Sequence, residues 1–560
     1  MTEQKNKLTT IKKKIQLTGI ITISTILIIG VGLYLFKTFT SSSKPKIKKN
    51  KYYKYKVEAR KLHESGEKLK EIESYKKCIK ENKENPNAYF DLIKAYIDIN
   101  DFQNAKKQLE DVKKIYSSIN ERNIYDSLTK ELNENEDRVK KYKNLNILKN
   151  FMYSLYKNGA KIKKSKIDYN KRNTRGLIAT EKIKKDEIIA EIPLNALITE
   201  KQASDFLEEK YSKETNLSRN EINKLFKKCI AGSKFKIVLF ILENYEKETY
   251  KEYFSTLDST NISHFAYFMD DRTKEEFKDT DIPELLNLKN EIIDHDINIL
   301  YNNIKPTKKF DYNTLKKYYI IVSSKVFTAK INNIDTSIMS PYIDMANNYS
   351  HKKNTHWTFD DKKNSFILQA SKNINKSSEI IFTYGDKSNK YLYIIYGFTE
   401  KNNRINEINL SYNNNSYRCI NDLKDKKNKL KNLLSDIGYN ITNNNDKNLT
   451  KKQKTKVIQK EKLEIKKFEI LKSLCYDRLS KYKTTLKDDK NNINKNISIS
   501  KYNCLNILID EKTMLNQLIQ FSNECISYFK RYKIKDIEIN KKQLNNMSKL
   551  TIDYLNTLIY

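Results

Sequence analysis

Cysteine and histidine are too few and too scattered in this sequence to build a zinc cluster or a disulfide framework. The chain of 560 residues contains 6 cysteines and 5 histidines. No two cysteines are close enough to form a Cys-x-x-Cys pair, and no histidine stands at a metal-ligand spacing from one of them. Single cysteines of this kind are typical of a reducing compartment. The sequence therefore predicts no zinc and no other metal site.

Arginine is also scarce, and this changes how the charge is interpreted. The formal net charge is +37, from 107 lysine and arginine residues against 70 aspartate and glutamate residues. Such a charge would ordinarily suggest nucleic acid or an anionic membrane as the partner. Here the excess is nearly all lysine and is spread along the chain, whereas nucleic-acid readers rely on arginine for bidentate contacts. A biased background composition explains the charge better, and nucleic-acid binding is kept as an alternative.

Glycine is scarce too, yet two glycines follow tyrosines in one short stretch. With 10 Gly and 38 Tyr in the chain, chance predicts roughly 0.7 Tyr-Gly pairs. Glu379–Phe398 reads EIIFTYGDKSNKYLYIIYGF and contains Tyr384-Gly385 and Tyr396-Gly397. Glycine lets a backbone turn sharply, so the pattern indicates two places where the chain turns beside a tyrosine ring.

One long apolar run stands near the start of the chain. Leu17–Phe36 carries no charged residue and is long enough to span a bilayer core. We therefore predict a transmembrane helix at 17–36, between a basic N-terminus at 1–16 and a basic linker at 37–54. The alternative is a cleaved leader, followed by the basic stretch SSSKPKIKKNKYYKYK as a second import signal. Lysines flank the run on both sides, so its orientation does not follow from charge alone.

A helical pattern with a repeat of about 34 residues covers residues 55–118. Its second unit places apolar or small residues where a tetratricopeptide helix pair packs: Tyr89, Leu92, Ile93, Tyr96, Phe102, Ala105, Leu109 and Val112. The first unit is degenerate, because Lys68 and Glu71 stand at such positions. A peptide-binding scaffold and a plain helical hairpin that docks on the rest of the chain both fit this pattern. Residues 119–145 are polar and helix-prone and predict a linker helix.

The pattern of apolar and polar residues changes twice in the rest of the chain. Residues 146–402 contain short β-rich runs, such as GLIAT and EIIFTY, and a helical pattern interrupts them over about 201–325. Residues 403–560 are mostly helical, and the asparagine-rich runs at 412–416, 443–447 and 491–495 are interpreted as solvated loops. The predicted fold class is α+β: a β-rich core split by a helical insertion, an all-helical C-terminal domain, and an N-terminal tetratricopeptide-like hairpin with the transmembrane helix.

Several collinear motifs, together covering about 146–530, resemble one family of enzymes. The motifs are RGLIATEKIKKDEIIAEIP at Arg175–Pro193, LFILENYEKETYKEYFSTL, SPYIDMANNYS at Ser340–Ser350, the Tyr-Gly stretch at Glu379–Phe398, and YKTTLKDDK with LIDEKTMLNQLI near the C-terminus. In this order they resemble SET-domain protein methyltransferases of the Rubisco large-subunit lysine methyltransferase-like group. That group also includes the actin-histidine methyltransferase. The resemblance implies that residues 146–402 form a SET domain with its insertion, and that 403–560 form a helical substrate-binding domain.

The resemblance also implies a cofactor, S-adenosyl-L-methionine, and a set of site residues. Tyr384 matches the catalytic tyrosine of the family, and Tyr396 matches a second tyrosine of the substrate channel. The residues implied for the cofactor are Asn173, Arg175, Gly176, Asn347, Asn348 and Tyr384. Those implied for the substrate are Ser324, Lys325 and Asp344, through main-chain carbonyls, and Trp357.

Elementary chemistry explains why such residues suit methyl transfer. Transfer from a sulfonium is an in-line displacement that needs alignment of amine, methyl and sulfur, and it requires neither metal nor covalent intermediate. The target amine must be neutral, and a narrow apolar channel beside a cation favours the neutral form. Tyrosine supplies both an apolar ring that excludes water and a hydroxyl that orients the amine.

Three departures from the family pattern bear on activity rather than on fold. Asn348 replaces the histidine of the family's Asn-His pair, Ala329 replaces an arginine expected to bind the cofactor carboxylate, and Ser378 replaces a glycine. In addition, Ile343 stands where the histidine-methylating branch has tryptophan, which favours lysine as the target.

These observations predict an S-adenosylmethionine-dependent protein-lysine N-methyltransferase that acts on a non-histone protein with an accessible lysine. The membrane helix would anchor it with the catalytic domain facing the cytosol, or the leader would direct it into an organelle. A peptide could bind the tetratricopeptide-like hairpin. The alternatives are a membrane-tethered scaffold whose SET fold is weak or inactive, and a protein-histidine methyltransferase.

Overall fold

A computed structural model describes residues 51–141, 145–169, 174–349, 352–420, 428–444, 460–494, 496–537 and 546–558. Within these ranges, every helix is either too short or too polar to cross a bilayer. The predicted membrane anchoring is corrected on this finding. The predicted span itself, Leu17–Phe36, lies outside the described residues, as does the alternative leader.

Helices make up the first part of the described chain. They are α1 (Lys51–Ser65), α2 (Lys68–Glu81), α3 (Pro86–Asp98), α4 (Phe102–Val112), α5 (Ile119–Lys141) and α6 (Leu145–Lys157). Asn85 begins α3 by accepting a hydrogen bond from the backbone N–H of Asn87, with Pro86 at the first helical position. Asp101 caps α4 in the same way. The tetratricopeptide-like identity of these helices stays a prediction.

The polar residues of the first repeat form a buried ion-pair network. Lys68 Nζ lies 3.0 Å from Glu71 Oε2 and 3.1 Å from Asp98 Oδ2. His63 joins Glu71 at 3.1 Å and reaches Glu181, just beyond the helices, at 2.8 Å. Hydrogen bonds to Glu181 and Glu71 raise the pKa of His63 to about 9. The repeat is therefore degenerate because these positions pair charges instead of packing apolar side chains.

The predicted linker helix, α5, is packed along its length. Leu128, Leu132 and Val139 are buried and belong to the same core as the strands that follow. Arg138 Nη2 lies 2.9 Å from Asp168 Oδ2 on strand β2. The apolar face of α5 is therefore buried against neighbouring elements.

Short strands from two parts of the chain form the β core. The strands before the insertion are β1 (Lys161–Ile162), β2 (Ser165–Tyr169), β3 (Arg175–Ala179), β4 (Ile188–Pro193) and β5 (Ile198–Thr199). Those after it are β6 (Phe327–Ile331), β7 (Ile334–Met339), β8 (Asn347–Asn348), β9 (Thr355–Asp360), β10 (Ser365–Ala370) and β11 (Glu379–Phe382). They pair in the orders β1-β4-β10-β9, β2-β3-β11-β8 and β5-β7-β6.

A run of helices separates the two sets of strands. It contains α7 (Glu200–Glu214), α8 (Arg219–Lys228), α9 (Gly232–Glu243), α10 (Glu248–Asp258), α11 (Asp271–Glu276), α12 (Ile282–Asn298) and α13 (Tyr312–Lys325). Thr199 and Ser218 begin α7 and α8 with reciprocal capping boxes. Helix α9 is mostly apolar, and the run Phe235–Leu242 is buried, as expected of a helix inside a core.

The chain after the β core starts with a hairpin, which corrects the prediction of an all-helical C-terminal domain. Helix α14 (Asn389–Tyr396) leads to strands β12 (Glu407–Tyr412) and β13 (Asn415–Ile420), which pair antiparallel. Asn413 and Asn414 connect them, with φ angles of 49° and 64°. Two residues with positive φ are what a tight hairpin turn needs, and asparagine tolerates that conformation. The asparagine-rich run is therefore a turn between two strands.

Helices complete the described chain: α15 (Leu430–Asn444), α16 (Lys460–Ser480), α17 (Leu486–Asn492), α18 (Ile499–Arg531) and α19 (Lys549–Asn556). Their apolar faces form a second core around Phe468, Leu515 and Phe521. All six cysteines are buried and outside disulfides. Across the described ranges, no group of three or more His, Cys, Asp or Glu side chains is arranged to hold a metal ion.

Candidate active site

Strand β11 brings together three distant parts of the β core. It pairs antiparallel with β3, where Ile380 lies opposite Leu177, and parallel with β8, where Ile381 lies opposite Asn347. The segment that follows β11 carries Tyr384. As a result, this tyrosine lies next to the strand of Arg175 and Gly176 and next to the Asn347-Asn348 pair, as the motifs implied.

Tyr384 is fixed by a hydrogen bond at each end of the residue. Its hydroxyl donates to Ala346 O at 2.9 Å, and its backbone N–H donates to Asn348 Oδ1 at 2.8 Å. Burial raises the pKa of the Tyr384 hydroxyl well above its ordinary value, and the neighbouring Tyr396 adds to the shift. The hydroxyl therefore stays protonated and can donate a hydrogen bond at neutral pH.

Tyr396 packs directly on Tyr384. Their ring centroids are 4.6 Å apart, with 37° between the ring planes. Phe398 lies 6.2 Å from the ring of Tyr384 and 6.3 Å from that of Tyr396, which completes an aromatic group. Burial raises the pKa of Tyr396 to about 12, so its hydroxyl is also protonated at neutral pH. The two adjoining rings therefore combine an apolar surface with two protonated hydroxyls that can donate hydrogen bonds.

The two glycines beside these tyrosines both have left-handed backbones. Gly385 has φ +93° and Gly397 has φ +76°. Gly397 ends helix α14 immediately after Tyr396, and a Cβ there would lie 2.7 Å from Phe265 Cδ2. At Gly385 the nearest atom to an added Cβ would be Lys387 Nζ, at 3.5 Å. Glycine is required at both turns for conformation, and at 397 for space as well.

Asn347 ties strand β3 to strand β11. Its Nδ2 donates to Arg175 O at 2.9 Å and to Glu379 Oε1 at 2.8 Å. A Cβ on Gly176 would lie 2.7 Å from Asn347 Nδ2, closer than real Cβ contacts. Gly176 is therefore needed so that the amide of Asn347 can reach the backbone of β3.

A group of buried charged side chains lies beside the place where Asn347 joins strand β3 to strand β11, which we call the crossing. Tyr253 OH donates to Asp344 Oδ2 at 2.6 Å, and Lys325 Nζ lies 3.5 Å from the same oxygen and 3.3 Å from Asp344 O. Burial lowers the pKa of Lys325, and the positive charge of Arg175 lowers it further. Asp344 Oδ1 is buried and makes no hydrogen bond. A buried carboxylate oxygen without a donor is costly unless a ligand supplies one.

The residue before this group has an unusual backbone. Tyr342 has φ 74° and ψ −55°, a strained conformation for a residue with a side chain. Its ring is fully buried, and its hydroxyl lies 2.8 Å from Ser165 Oγ on β2. The strain is held in place by this packing, and it directs the turn Ile343–Met345 that carries Asp344.

Other predicted site residues make contacts outside the tyrosine pair or lie beyond what is described. Trp357, on β9, packs against Phe327 at 5.2 Å and Phe366 at 5.4 Å between ring centroids. Ser324 Oγ donates to Ile321 O within its own helix, α13. Asn173 lies outside the described residues. The main-chain roles predicted for Ser324 and Lys325 stay predictions, and what the structure adds is the ion pair of the Lys325 side chain.

Sequence reasoning missed several residues of the site. Tyr253 lies 91 positions before its partner Asp344, and its only signal was its place within the quoted motif of the insertion. Glu379 begins the quoted Tyr-Gly stretch without a predicted role, although its carboxylate accepts a hydrogen bond from Asn347. Phe398 was quoted in the motif without a role. Asn348, expected to lose a contact, accepts from the backbone N–H of Tyr384.

Comparison with known proteins identifies the β core. The family model for the SET domain matches residues 174–385. This part of the chain is a SET domain. The match ends at Gly385, so it includes Tyr384 and stops before Tyr396. Comparison with curated protein sequences gives no match.

Solved structures share the fold over about three quarters of the chain. The SET domain of LSMT bound to lysine and AdoHcy matches with a TM-score of 0.54 at 13% identity, covering 74% of this chain and 99% of that one. Rubisco LSMT bound to sinefungin and monomethyllysine, and the same protein bound to AdoMet, each match with a TM-score of 0.50 at 14% identity and the same coverage. These identities establish the fold alone, and the fold confirms the resemblance predicted from the motifs.

Proposed function

We propose that the protein is an S-adenosylmethionine-dependent protein-lysine N-methyltransferase that acts on a non-histone protein. The SET-domain match and the fold shared with LSMT support a methyltransferase. The observation that carries the proposal is the half-buried Tyr384–Tyr396 pair, with ring centroids 4.6 Å apart, beside the hydrogen bonds of Asn347. LSMT structures contain lysine or methylated lysine together with AdoHcy or sinefungin, which supports lysine as the target.

The residues at the crossing fit a zwitterionic cofactor. Arg175 is half-buried, and its guanidinium donates one long hydrogen bond, 3.5 Å to Ser259 Oγ. Asp344 Oδ1 is buried and accepts no hydrogen bond, so this part of the site offers a guanidinium group and a carboxylate oxygen that lacks a donor. The methionine part of S-adenosylmethionine carries one carboxylate and one ammonium group, which complement them. Arg175, Gly176, Asn347 and Asn348 are the residues we propose to hold the cofactor.

When bound, S-adenosylmethionine supplies a methyl group activated by a sulfonium. In the transfer, the carbon–sulfur bond breaks as the nitrogen–carbon bond forms, and the amine must already have lost its proton. The chain contributes to each requirement. The aromatic group of Tyr384, Tyr396 and Phe398 excludes water and disfavours a charged amine. The protonated tyrosine hydroxyls and nearby carbonyl oxygens orient the nitrogen so that its lone pair points at the methyl carbon.

Lysine is favoured over histidine by the residue before Asp344. Ile343 is fully buried and fills, with an aliphatic side chain, the position where the histidine-methylating branch carries tryptophan. The replacement of the family histidine by Asn348 is compatible with the site, because Asn348 holds the backbone of Tyr384. The replacement at Ala329 leaves Arg175 and Lys325 as cations near the crossing.

The proposal is tested with the full chain in two measurements. Isothermal titration with S-adenosylmethionine should show saturable binding with one site. Incubation with methyl-labelled cofactor and a lysate of the source cells, followed by amino-acid analysis of the labelled protein, should yield methyl-lysine. Label in methyl-histidine would overturn the target, and absence of cofactor binding would favour the inactive scaffold.

A further inference from the structure

Helix α14, which carries Tyr396, is held at its C-terminal end by one asparagine of the C-terminal domain. Asn503, on α18, donates from Nδ2 to Gly397 O at 3.0 Å. Its Oδ1 accepts from Thr399 Oγ1 at 2.9 Å, and that hydroxyl in turn accepts from Asn506 Nδ2 at 2.9 Å. Asn503 is buried, so these bonds are shielded from competing water. The backbone immediately after Tyr396 is therefore fixed by a residue more than a hundred positions away.

The N-terminal end of α14 is held by the same long helix. Asn389 Nδ2 donates to Asp510 Oδ2 at 2.7 Å. Between the two ends, Tyr393 OH lies 2.6 Å from Ser500 Oγ. Residues of α18 therefore contact the eight-residue helix α14 at its first residue, at its middle and just after its last residue. A helix this short gains little stability from its own hydrogen bonds, so its position depends on what it packs against.

A buried ion-pair group joins the same helix to the insertion. Lys390 Nζ, on α14, lies 3.0 Å from Asp281 Oδ2 and 3.1 Å from Glu407 Oε1. Asp281 also lies 3.0 Å from Arg478 Nη2, and its backbone N–H donates to Glu511 Oε1 at 3.0 Å. The helical insertion and the C-terminal helices therefore both contact the element that carries the second tyrosine.

We propose that α18 is a positioning element of the active site, and that Asn503 sets the distance between Tyr396 and Tyr384. The inference rests on the proposed function, because it concerns a channel tyrosine of that reaction. Tyr384 is fixed within the SET core by Ala346 and Asn348. Tyr396 lies after the segment that matches the SET domain. The position of its ring therefore depends on the position of α14, the helix that carries it. A shift of a fraction of an ångström in the ring would change the channel width that methyl transfer requires.

The test replaces Asn503 with leucine, which keeps the branched four-atom side chain and removes both hydrogen bonds. The matched control is Glu524→Gln on the same helix. Glu524 accepts from Ser548 and Thr551 near α19, away from α14. Two readouts are needed: steady-state kinetics, and ¹⁹F NMR of the full chain with 3-fluorotyrosine at position 396. The second readout does not require turnover.

We expect Asn503→Leu to lower kcat by about tenfold or more while the Kd for S-adenosylmethionine changes by less than about threefold. The ¹⁹F resonance should shift or broaden, and Glu524→Gln should leave both kcat and the resonance unchanged. If Asn503→Leu fails to fold, Thr399→Val, which removes only the bridging hydroxyl, should change the resonance in the same direction.

Unchanged kcat and an unchanged resonance in folded Asn503→Leu or Thr399→Val would overturn the inference. An altered resonance in a protein whose wild type shows no methyl transfer would support the positioning role and contradict the proposed function. Equal changes in Glu524→Gln would also overturn the inference, because they would show a general effect of disturbing α18.

Discussion

Tyr384 and Tyr396, the tyrosines proposed to line the substrate channel, are held by different parts of the molecule. Tyr384 is fixed inside the SET core, where β11 lies between β3 and β8 and two hydrogen bonds lock the residue. Tyr396 is carried by α14, which the C-terminal helix α18 holds through Asn503 and Asp510. The difference shows that the SET core fixes one tyrosine of the pair, and that a helix of the C-terminal part fixes the element that carries the other.

The largest effect is expected at the crossing in the SET core. Gly176→Ala would place a Cβ 2.7 Å from Asn347 Nδ2 and 2.9 Å from Glu379 Oε1. We expect the free energy of unfolding to fall by about 2–3 kcal/mol, because the new atom breaks the amide bonds of Asn347. Cofactor affinity, measured by titration calorimetry, should fall with it.

The control for this change is Gly438→Ala. An added Cβ there meets only the flexible end of Lys467, on α16, and alanine suits a helix interior better than glycine by up to about 1 kcal/mol. Urea denaturation should therefore show unchanged or increased stability. Equal losses for both substitutions would contradict the close-approach role of Gly176.

A smaller difference is expected between the two glycines of the Tyr-Gly pairs. Alanine at either position must adopt a left-handed backbone, at a cost of about 1–2 kcal/mol. Gly397→Ala also pushes a Cβ to 2.7 Å from Phe265, whereas Gly385→Ala meets only Lys387 Nζ at 3.5 Å. Gly397→Ala should therefore be less stable than Gly385→Ala by a further ~1 kcal/mol or more. Matching unfolding midpoints in urea would show that space at Gly397 is unimportant.

The last effect concerns pH and the contact between α18 and α14. Burial raises the pKa of Asp510 to about 7 from the ordinary 3.8. The folded state therefore holds a proton that the unfolded state releases above pH ~4, so this residue lowers stability as the pH rises from about 4 to 7. Asp510→Asn removes the titration. The melting temperature of the variant relative to wild type should increase between pH 5 and pH 8, by an amount equivalent to ~1–3 kcal/mol.

The comparison for this prediction is between pH values, because the asparagine also changes hydrogen bonds to Asn389 and Asn406. That part of the effect is constant with pH. A difference in melting temperature that is the same at pH 5 and pH 8 would contradict the buried, protonated state of Asp510.

Short-range signals in the sequence were sufficient for the SET core. The Tyr-Gly pairs, Gly176 and the Asn347 motif lie in compact segments whose spacing points to turns and strands, and the structure brings these segments together. Contacts between residues that are far apart in the sequence could not be predicted in this way. Tyr253 and Asn503 act on residues 91 and 106 positions away, and nothing in their local sequence distinguishes them from ordinary helical residues.

Two local sequence patterns are each compatible with more than one structure, and partners elsewhere in the chain decide between them. Asn413 and Asn414 were interpreted as part of a solvated loop, although asparagine with positive φ makes a tight hairpin turn. Lys68 and Glu71 stand where a repeat packs apolar side chains, and the structure buries both in a paired network. In each case the partner strand or partner charge, which the local pattern does not contain, decides the outcome.

The central claim is that the Tyr384 hydroxyl takes part in methyl transfer, and Tyr384→Phe tests it most directly. The control is Tyr211→Phe, which removes a hydroxyl from a fully buried tyrosine of the insertion, one bonded to Glu243. We predict that Tyr384→Phe lowers kcat by ~100-fold or more, while the Kd for S-adenosylmethionine and the melting temperature stay close to those of the control. Turnover of folded Tyr384→Phe equal to that of the control would contradict the account.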